Sequence, residues 1–359
     1  MKEFTVCLAG DTSLGDWYLR NPKKEKLLKR LYNNSDSFFE LLKPLLAGTD
    51  ELILNLETVL KVDPPIFFST KKYTNWDNPN IIIPVLNLLG VTAVDLCNNH
   101  SMDYGPDTML STKSLLTEES IKVFGVGENE EEAIKPNIIS VYGTEHRLNL
   151  YFIAVMKAGR KYHEDYSFFA TKDKPGIASF YDLKLKEKIK RIKVEDNNSF
   201  IVLLPHWQGY DYKWVSDDGK IVRDCFEYID LGVDLVVGHG PHMINEILTH
   251  RDKTIFSSIG NFVFNSPGRY GKLNAPPYSC LVKLIFRETM VGWDVLYKCY
   301  PIVTDNKTTK YCSRPVNRNE AIDLFNLLRH RSDYSSTITL NKDEIGYYFE
   351  IQPLTNIEQ

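Results

Sequence analysis

The stretch FTVCLAGD, residues 4–11, indicates the fold class of this chain more clearly than any other segment. Its apolar run predicts a strand that is buried on both faces, as the strands of parallel sheets are. Asp11 then emerges where the strand ends, and open α/β sheets bind their ligands at that edge. The stretch therefore predicts an α/β protein with a candidate site residue at one edge of a sheet.

Four further segments repeat this pattern, in which a metal-ligand residue type follows a predicted strand. They end in NLE at 55–57, NNH at 98–100, PHW at 205–207 and GHGPH at 238–242. Each one alone is weak evidence, because Gly-Asp and Asn-Asn pairs also form ordinary turns. Five strands with this design would bring carboxylate, amide and imidazole groups to one edge. Such groups suit a divalent metal ion.

The composition excludes several classes of protein. With 43% hydrophobic and 25% charged residues and a net charge of −4, the chain lacks the basic excess of nucleic-acid-binding proteins. No apolar run approaches the roughly 20 residues of a membrane span. The N-terminus enters the first strand at once and leaves no room for a signal peptide, so we expect a cytoplasmic location. The six cysteines show no Cys-x-x-Cys pair, which favours buried free thiols.

The order of the predicted elements indicates how the chain is organised. Strands and helices alternate along most of it, and two long alternating strands at 279–287 and 291–302 predict a hairpin. Helical spacing extends from about residue 23 to 46. These patterns favour one compact α/β domain over residues 1–310, with residues 311–359 as an appendage that packs on it.

Aromatic and basic residues near these segments are candidates for substrate contact. Trp207 and Tyr210 follow His206, and an aromatic wall beside an imidazole suits a substrate cleft, although a plain aromatic core is the more common outcome. Lys72 and Arg160 lie in charged, aromatic-rich loops and would bind an anionic polymer. A solvated loop is the alternative for both.

Together these motifs resemble the bacterial capsule-synthesis family (CapA, poly-γ-glutamate biosynthesis), which is related to the calcineurin-like metallophosphoesterases. The resemblance implies a four-layer αββα sandwich with a metal site on loops at one sheet edge. The matching pieces, in family order, are AGD at 9–11, NLE at 55–57, NNHSMDYG at 98–105, GVGEN at 125–129, PHW at 205–207, GHGPH at 238–242 and SIGNFVF at 258–264.

The resemblance also implies roles for individual residues. One or two divalent ions, with Mn, Zn, Fe, Co and Mg not distinguished, would be held by Asp11, Glu57, Asn99, His206, His239 and His242. Asp11 would serve the first ion with His242, and Glu57 would bridge to the second. Within the catalytic set of Asp11, His100 and Asp103, His100 would be the acid and Asp103 would orient it. Asn261, in the last motif, would contact the substrate.

Two positions depart from the related phosphoesterases. Ser13 stands where they place a histidine, and Glu57 stands where their bridging carboxylate is an aspartate. The first metal site is therefore predicted to be one ligand short.

Three functions follow from this reading. The first is a metal-dependent hydrolase that acts on a phosphoester or a (poly-γ-)glutamyl or peptide substrate through a metal-activated water. The second is a metal-dependent enzyme that epimerises a Cα of a ribosomal peptide. The third is a non-catalytic component of poly-γ-glutamate or capsule assembly. The expected partner is an anionic small molecule or peptide, with no nucleic acid and no membrane span. Exposed edge strands leave a homodimer open.

Overall fold

Two large sheets dominate the computed structural model, which describes residues 2–333 and 338–351. The strands in chain order are β1 (Glu3–Ser13), β2 (Glu51–Leu56), β3 (Val59–Leu60), β4 (Trp76–Asp77), β5 (Val91–Asp95), β6 (Lys122–Phe124), β7 (Val126–Gly127), β8 (Asn137–Tyr142), β9 (Arg147–Lys157), β10 (Gly176–Ile177), β11 (Ser199–Trp207), β12 (Leu235–Val237), β13 (Ile247–His250), β14 (Lys253–Phe256), β15 (Asn261–Phe264), β16 (Tyr278–Thr289), β17 (Gly292–Val303), β18 (Arg314–Pro315), β19 (Thr339–Lys342) and β20 (Tyr347–Ile351).

The first sheet contains ten strands, eight of them in the order β19-β20-β17-β16-β1-β2-β5-β6. β15 also pairs with β1, and β18 with β17. Strands β1, β2, β5 and β6 run parallel to one another, and β15 runs parallel to β1. This register sets Asp11 opposite Asn55 on one side and opposite Asn261 on the other. Polar residues from three strands therefore meet at one edge of the sheet.

The second sheet contains six strands in the order β13-β14-β12-β11-β9-β8. Its four central strands, β14, β12, β11 and β9, are parallel. β11 carries His206 near its end, and the backbone of His206 forms an isolated parallel bridge with that of His239, just beyond β12. His206 and His239 thus lie side by side.

Helices cover the outer faces of the two sheets, as contacts of α3 with β5, α4 with β6 and α7 with β11 show. The helices are α1 (Asp16–Leu19), α2 (Glu25–Asn33), α3 (Pro79–Leu88), α4 (Pro106–Glu118), α5 (Glu130–Ala133), α6 (Arg160–Glu164), α7 (Leu183–Glu195), α8 (Gly219–Asp230), α9 (Tyr270–Leu273), α10 (Asn306–Thr309) and α11 (Arg318–Arg331). Short 3₁₀ segments lie at Pro22–Lys24, Ser35–Phe39, Lys43–Leu46 and Val215–Asp217.

The two sheets face each other across a continuous apolar core. Phe200 of β11 lies 5.2 Å from Phe286 of β16, and Phe256 of β14 lies 6.1 Å from Tyr297 of β17, measured between ring centroids. This arrangement confirms the predicted four-layer αββα sandwich. The six cysteines, all within the described ranges, are free, and five of them are buried.

Two regions differ from simple expectations. The helical pattern at 23–46 forms α2 and then breaks, because Asn34 leaves the helical region (φ −158°) and Pro44 lacks the amide hydrogen of a helix interior. After residue 310, β18 and β20 pair with β17 and so extend the first sheet. The domain boundary at 310 stays a prediction, and residues 334–337 and 352–359 of the appendage lie outside the described residues. In the described part of the chain, no helix is long and apolar enough to cross a membrane.

Candidate metal centre

The site begins where β1 reaches the edge of the first sheet. Gly10 permits this geometry, because a Cβ atom there would lie 1.7 Å from the carbonyl oxygen of Gly260. The close approach lets the amide of Asp11 donate to the same carbonyl at 3.0 Å. The local sequence Gly10-Asp11 thus fixes where the carboxylate lies.

The Asp11 carboxylate is fully buried and has partners on both oxygens. Its Oδ1 accepts a hydrogen bond from Asn55 Nδ2 at 2.7 Å, and its Oδ2 accepts one from the amide of Gly240 at 3.3 Å. His242 Nδ1 lies 3.1 Å from Oδ2. Burial alone would raise the pKa of Asp11, but the hydrogen bond with His242 and the nearby histidines lower it to about 2.

Glu57 is equally buried but lacks such partners. It is 1% exposed, and within the described ranges neither Oε1 nor Oε2 receives a hydrogen bond. Burial, and then the charge of Asp11, raises the pKa of Glu57 well above its ordinary value. His100 Nε2 lies 3.7 Å from Oε1, and His242 Nδ1 lies 3.8 Å from Oε2. Since buried polar groups are nearly always bonded, these two oxygens call for a partner that the described chain does not supply.

Two imidazoles and an amide lie beside Glu57, one imidazole at the end of strand β11 and the other two groups on loops. His206 Nε2 lies 2.7 Å from Asn99 Oδ1 and 3.9 Å from Glu57 Oε1. His239 Nδ1 lies 3.7 Å from Asp11 Oδ1, and within the described part it has no hydrogen-bond partner. Burial lowers the pKa of His206 to about 3 and also lowers the pKa of His239. Both imidazoles are therefore neutral near pH 7, which is the form that binds metals.

His242 completes the cluster from a constrained turn. Its backbone has φ 61°, and its Nδ1 lies 2.9 Å from Asn261 Oδ1. Burial works against its charged form, yet Glu57 and Asp11 raise the pKa of His242 well above its ordinary value.

These donor atoms fit a divalent metal ion. One ligand atom each from Asp11, Glu57 and His242 lie within 4.8 Å of one another. The unbonded oxygens of Glu57 and the unbonded nitrogen of His239 are the kind of orphaned donors that a cation would satisfy. This set of carboxylate, imidazole and amide-oxygen ligands suits Mn, Zn, Fe or Co better than it suits a metal ion that prefers thiolate ligands.

Ser13 does not stand free for a ligand role. Its Oγ donates to Asp77 Oδ2 at 2.8 Å and accepts from Asn75 Nδ2 at 2.8 Å and from the amide of Gly15 at 3.0 Å. Because these bonds use its hydrogen and its lone pairs, the residue at this position holds local structure together.

His100 lies next to the cluster in a second polar chain. Its Nδ1 lies 2.6 Å from Asp103 Oδ2, and Asp103 Oδ1 pairs with the ammonium of Lys71. Asp103 also accepts a bond from the amide of Asn75 at 2.6 Å. Burial lowers the pKa of His100, and the Asp103 carboxylate partly opposes this. The carboxylate on Nδ1 leaves Nε2 as the nitrogen nearer Glu57.

A cavity of about 550 Å³ opens over these groups. Its wall includes candidate site residues together with tyrosines and basic residues from several loops. Among them are Tyr18, Lys71, Lys72, Tyr73, Asn99, His100, Lys161, Tyr162, Tyr166, Tyr212, His242 and Arg269.

Residues 5–266 match the bacterial capsule synthesis protein PGA_cap family. The chain belongs to this family. The PGA_cap match covers the strands that carry Asp11 and His206, the segment after β2 that carries Glu57, and the loop that carries His242.

Curated relatives of this PGA_cap chain are distant. The capsule biosynthesis protein CapA of Bacillus anthracis is 26% identical over 270 residues, which cover 74% of this chain and 60% of that protein. The PGA biosynthesis protein CapA of Bacillus subtilis is 26% identical over 239 residues, or 64% of this chain and 57% of that protein. A probable polyglutamine synthesis accessory protein of Mycobacterium tuberculosis is 25% identical over 294 residues, or 74% and 75%. The chain thus spans about three fifths of the length of the two Bacillus relatives.

Solved structures offer only loose likenesses. A putative 5'-nucleotidase from Staphylococcus aureus aligns with a TM-score of 0.47 and 9% identity over 95% of this chain and 61% of that one. GAP50 of Plasmodium aligns with a TM-score of 0.38 and 11% identity over 88% and 89%. Likeness at this level says nothing about activity.

The structure gathers all six predicted ligands of this PGA_cap chain in one place, with His100 and Asp103 beside them. Lys72 lies in the cavity wall, as expected. Asn261 lies beside His242 rather than in the wall, so it meets a predicted ligand and not the substrate space.

Three predicted substrate residues lie elsewhere. Trp207 is 1% exposed and donates its indole N–H to the carbonyl of Ser257 at 2.8 Å, so it belongs to the core. The hydroxyl of Tyr210 donates a hydrogen bond to Asp218 and accepts one from Lys157 Nζ. Arg160 is an exposed side chain paired with Glu164. Sequence alone does not separate a buried aromatic ring from one that lines a cleft.

Other residues near the site were not among the predicted site residues. Tyr162, Tyr212 and Arg269 line the cavity, and Tyr270 contacts His242. None follows a strand end, which was the signal that revealed the ligands. The aromatic composition of the loops after β9 and after β11 was an available indication, and it applies to too many rings to select among them.

Proposed function

We propose that this protein is a metal-dependent hydrolase that binds a divalent ion at Asp11, Glu57 and His242 and acts on an anionic phosphoester or γ-glutamyl substrate. The observation that carries this proposal is the pair of buried oxygens of Glu57, which receive no hydrogen bond from the residues that the structure describes. A buried carboxylate without partners costs free energy, and a bound cation would offset that cost. A purely structural role for Glu57 leaves this arrangement unexplained.

The residues around the ion have separate tasks. A divalent ion supplies Lewis acidity and lowers the pKa of bound water. Asn99, His206 and His239 offer further ligands to the same ion or to a second one. Asn55 orients Asp11 by donating to its Oδ1 at 2.7 Å, and the orientation of Asn55 is fixed in turn by Asn98 Nδ2, which donates to Asn55 Oδ1 at 2.8 Å.

His100 is the proton donor in this proposal. Asp103 accepts from its Nδ1–H at 2.6 Å and so keeps the ring in one orientation. The imidazole lies in the cavity wall, where Nε2 can reach the leaving group of a substrate bound next to Glu57. Acid catalysis by a positioned histidine contributes about 10²- to 10⁴-fold in rate.

The cavity supports an anionic substrate. Lys72, Lys161 and Arg269 lie in its wall, and Asp211 is the acidic residue that pairs with Arg269 there. This local excess of positive charge contrasts with the net charge of −4 of the whole chain. The names of the Bacillus relatives refer to capsule and PGA biosynthesis, which supports a glutamyl substrate among the anionic ones.

The first experiment measures metal content by mass spectrometry on protein purified without a chelator. We expect one or two transition metal ions per chain in the wild type and less than one in His206→Ala and His239→Ala. The loaded protein is then assayed with phosphoester and γ-glutamyl panels in the presence of Mn²⁺, Zn²⁺ or Co²⁺. Protein that neither contains nor takes up metal would refute the proposal.

A second candidate function is the binding of an anionic polymer without turnover. The basic residues in the cavity wall favour this function. So does Ser13, whose hydroxyl is hydrogen-bonded to Asp77 and is not free to act as a ligand. One mycobacterial relative is named as an accessory protein. Tight binding of polyglutamate by metal-loaded protein that hydrolyses neither panel would select it. A cytoplasmic location and a homodimer stay predictions.

A further inference from the structure

His242 is the candidate ligand with the least ordinary backbone. Its φ of 61° lies in the left-handed region, which residues other than glycine seldom occupy. Such a conformation persists only where surrounding groups hold it. The groups that bond to His242 therefore fix where its imidazole lies.

Tyr270 provides one of these bonds from a distant part of the chain. Its hydroxyl donates to the carbonyl oxygen of His242 at 2.5 Å, across 28 residues of sequence. The side chain opens helix α9 and is 3% exposed. The same hydroxyl oxygen accepts from Asn261 Nδ2 at 3.1 Å and lies 3.1 Å from Thr304 Oγ1.

Asn261 extends the effect of Tyr270 to the imidazole itself. Because its Nδ2 faces Tyr270, its Oδ1 faces His242 Nδ1, at 2.9 Å. The main-chain amide of Asn261 donates to Ser279 Oγ at 2.9 Å, which anchors this residue in β15. One hydroxyl thus acts on His242 twice, through the carbonyl and through the ring.

We propose that Tyr270 is a positioning residue of the metal centre: it holds the turn at His242 and, through Asn261, the imidazole in the orientation that a divalent ion requires. The inference rests on the proposed function, since it assumes that His242 binds the ion. Groups that orient metal ligands typically change metal affinity by about 10- to 100-fold when they are removed.

Tyr270→Phe tests the proposal, because it removes the hydroxyl and keeps the ring. Tyr228→Phe is the matched control: Tyr228 is also buried, and its hydroxyl donates to the carbonyl of Phe180, away from the cluster. Both variants and the wild type are stripped with a chelator and titrated with Mn²⁺ or Zn²⁺ by calorimetry. We expect the Kd of Tyr270→Phe to rise about 10- to 100-fold and that of Tyr228→Phe to equal the wild-type value. Both variants are expected to lower the Tm of the metal-free protein.

The outcomes separate this inference from the proposed function. Wild-type protein that takes up neither ion refutes the metal centre and this inference with it. If the wild type binds metal and Tyr270→Phe binds it equally well, the inference alone is overturned. Should Tyr270→Phe fail to fold, Thr304→Val removes a hydroxyl that contacts Tyr270 and Ser279. For Thr304→Val we expect a smaller rise in Kd than for Tyr270→Phe, and an unchanged Kd counts against the proposal.

Discussion

Two buried glutamates at opposite ends of β1 have opposite surroundings. Glu57 lies beside the carboxyl end of β1, where its main-chain amide donates to the carbonyl of Thr12. Glu288 lies beside the amino end, where its main-chain amide donates to the carbonyl of Lys2. Their exposures are 1% and 3%. The oxygens of Glu57 are unbonded in the described part of the chain, whereas those of Glu288 accept bonds from four backbone amides, those of Lys2, Thr144, Glu145 and His146.

The contrast appears in their acidity. Backbone amides lower the pKa of Glu288 to about 2, while burial raises the pKa of Glu57 well above its ordinary value. Burial therefore does not distinguish a structural carboxylate from a functional one. What distinguishes them is whether the protein supplies the hydrogen bonds or leaves them to a ligand.

The largest effect is expected from Glu57→Gln. We expect most of the bound metal and the activity to be lost, because the site loses its central anionic ligand. The metal-free variant should unfold at the wild-type Tm or above it, since a buried unpaired carboxylate costs free energy. Mass spectrometry and thermal unfolding measure the two quantities. A variant that keeps its metal would place Glu57 outside the metal site.

His100→Asn is expected to lower turnover about 10²- to 10⁴-fold and to leave the metal content unchanged. The imidazole lies in the cavity wall, and its Nδ1 bonds to Asp103. Steady-state kinetics on metal-loaded protein check this prediction. Loss of metal together with activity would assign His100 a ligand role instead.

Glu288→Gln is expected to affect stability alone. An amide cannot accept bonds from four backbone N–H groups as a carboxylate does, so the Tm should fall by a few degrees. Metal content and turnover should match those of the wild type, because Glu288 lies at the opposite end of β1 from Asp11. Calorimetry beside the metal assay gives both values, and an unchanged Tm would contradict the structural role of this carboxylate.

The smallest effect concerns pH. The pKa of Glu288 falls from an ordinary value of 4.5 to about 2 on folding, so the folded state favours the ionised form. Its stabilisation is complete above the unfolded pKa and is lost as the pH falls through the folded one. The difference in Tm between wild type and Glu288→Gln should therefore be constant from about pH 7 to about pH 5 and shrink below that. A difference that grows on acidification would reverse the assignment.

Much of the site could be predicted because its signal is local. An apolar run followed by Asp11, or by Asn99 and His100, predicts both a buried strand and the edge where that strand ends. Parallel register then brings such ends together, as it does for Asp11 and Asn55. Lys72, in contrast, was named from the charge and aromatic content of its loop, and it lies in the cavity wall.

The predicted substrate residues that lie outside the cavity wall show where a local pattern gives no information. Trp207 and Tyr210 lie shortly after His206 in the chain, yet the indole of Trp207 is buried in the core and the hydroxyl of Tyr210 bonds to Asp218. The rings that do line the cavity, such as Tyr162 in α6 and Tyr212 in the loop after β11, lie several residues beyond a strand end, where strand periodicity does not set their direction.

Strand periodicity and the identity of the first polar residue after each strand are properties of the chain, so an α/β sheet with candidate ligands at one edge could be inferred from the residues. The four-layer sandwich and the ligand roles came from the family resemblance of the motifs. Three-dimensional packing decides which buried groups find partners: backbone amides surround Glu288, whereas the described residues leave the carboxylate of Glu57 without a hydrogen bond. It also brings Tyr270 to His242 across 28 residues. Hydrogen-bond satisfaction depends on groups remote in sequence, and for that reason no local pattern reveals it.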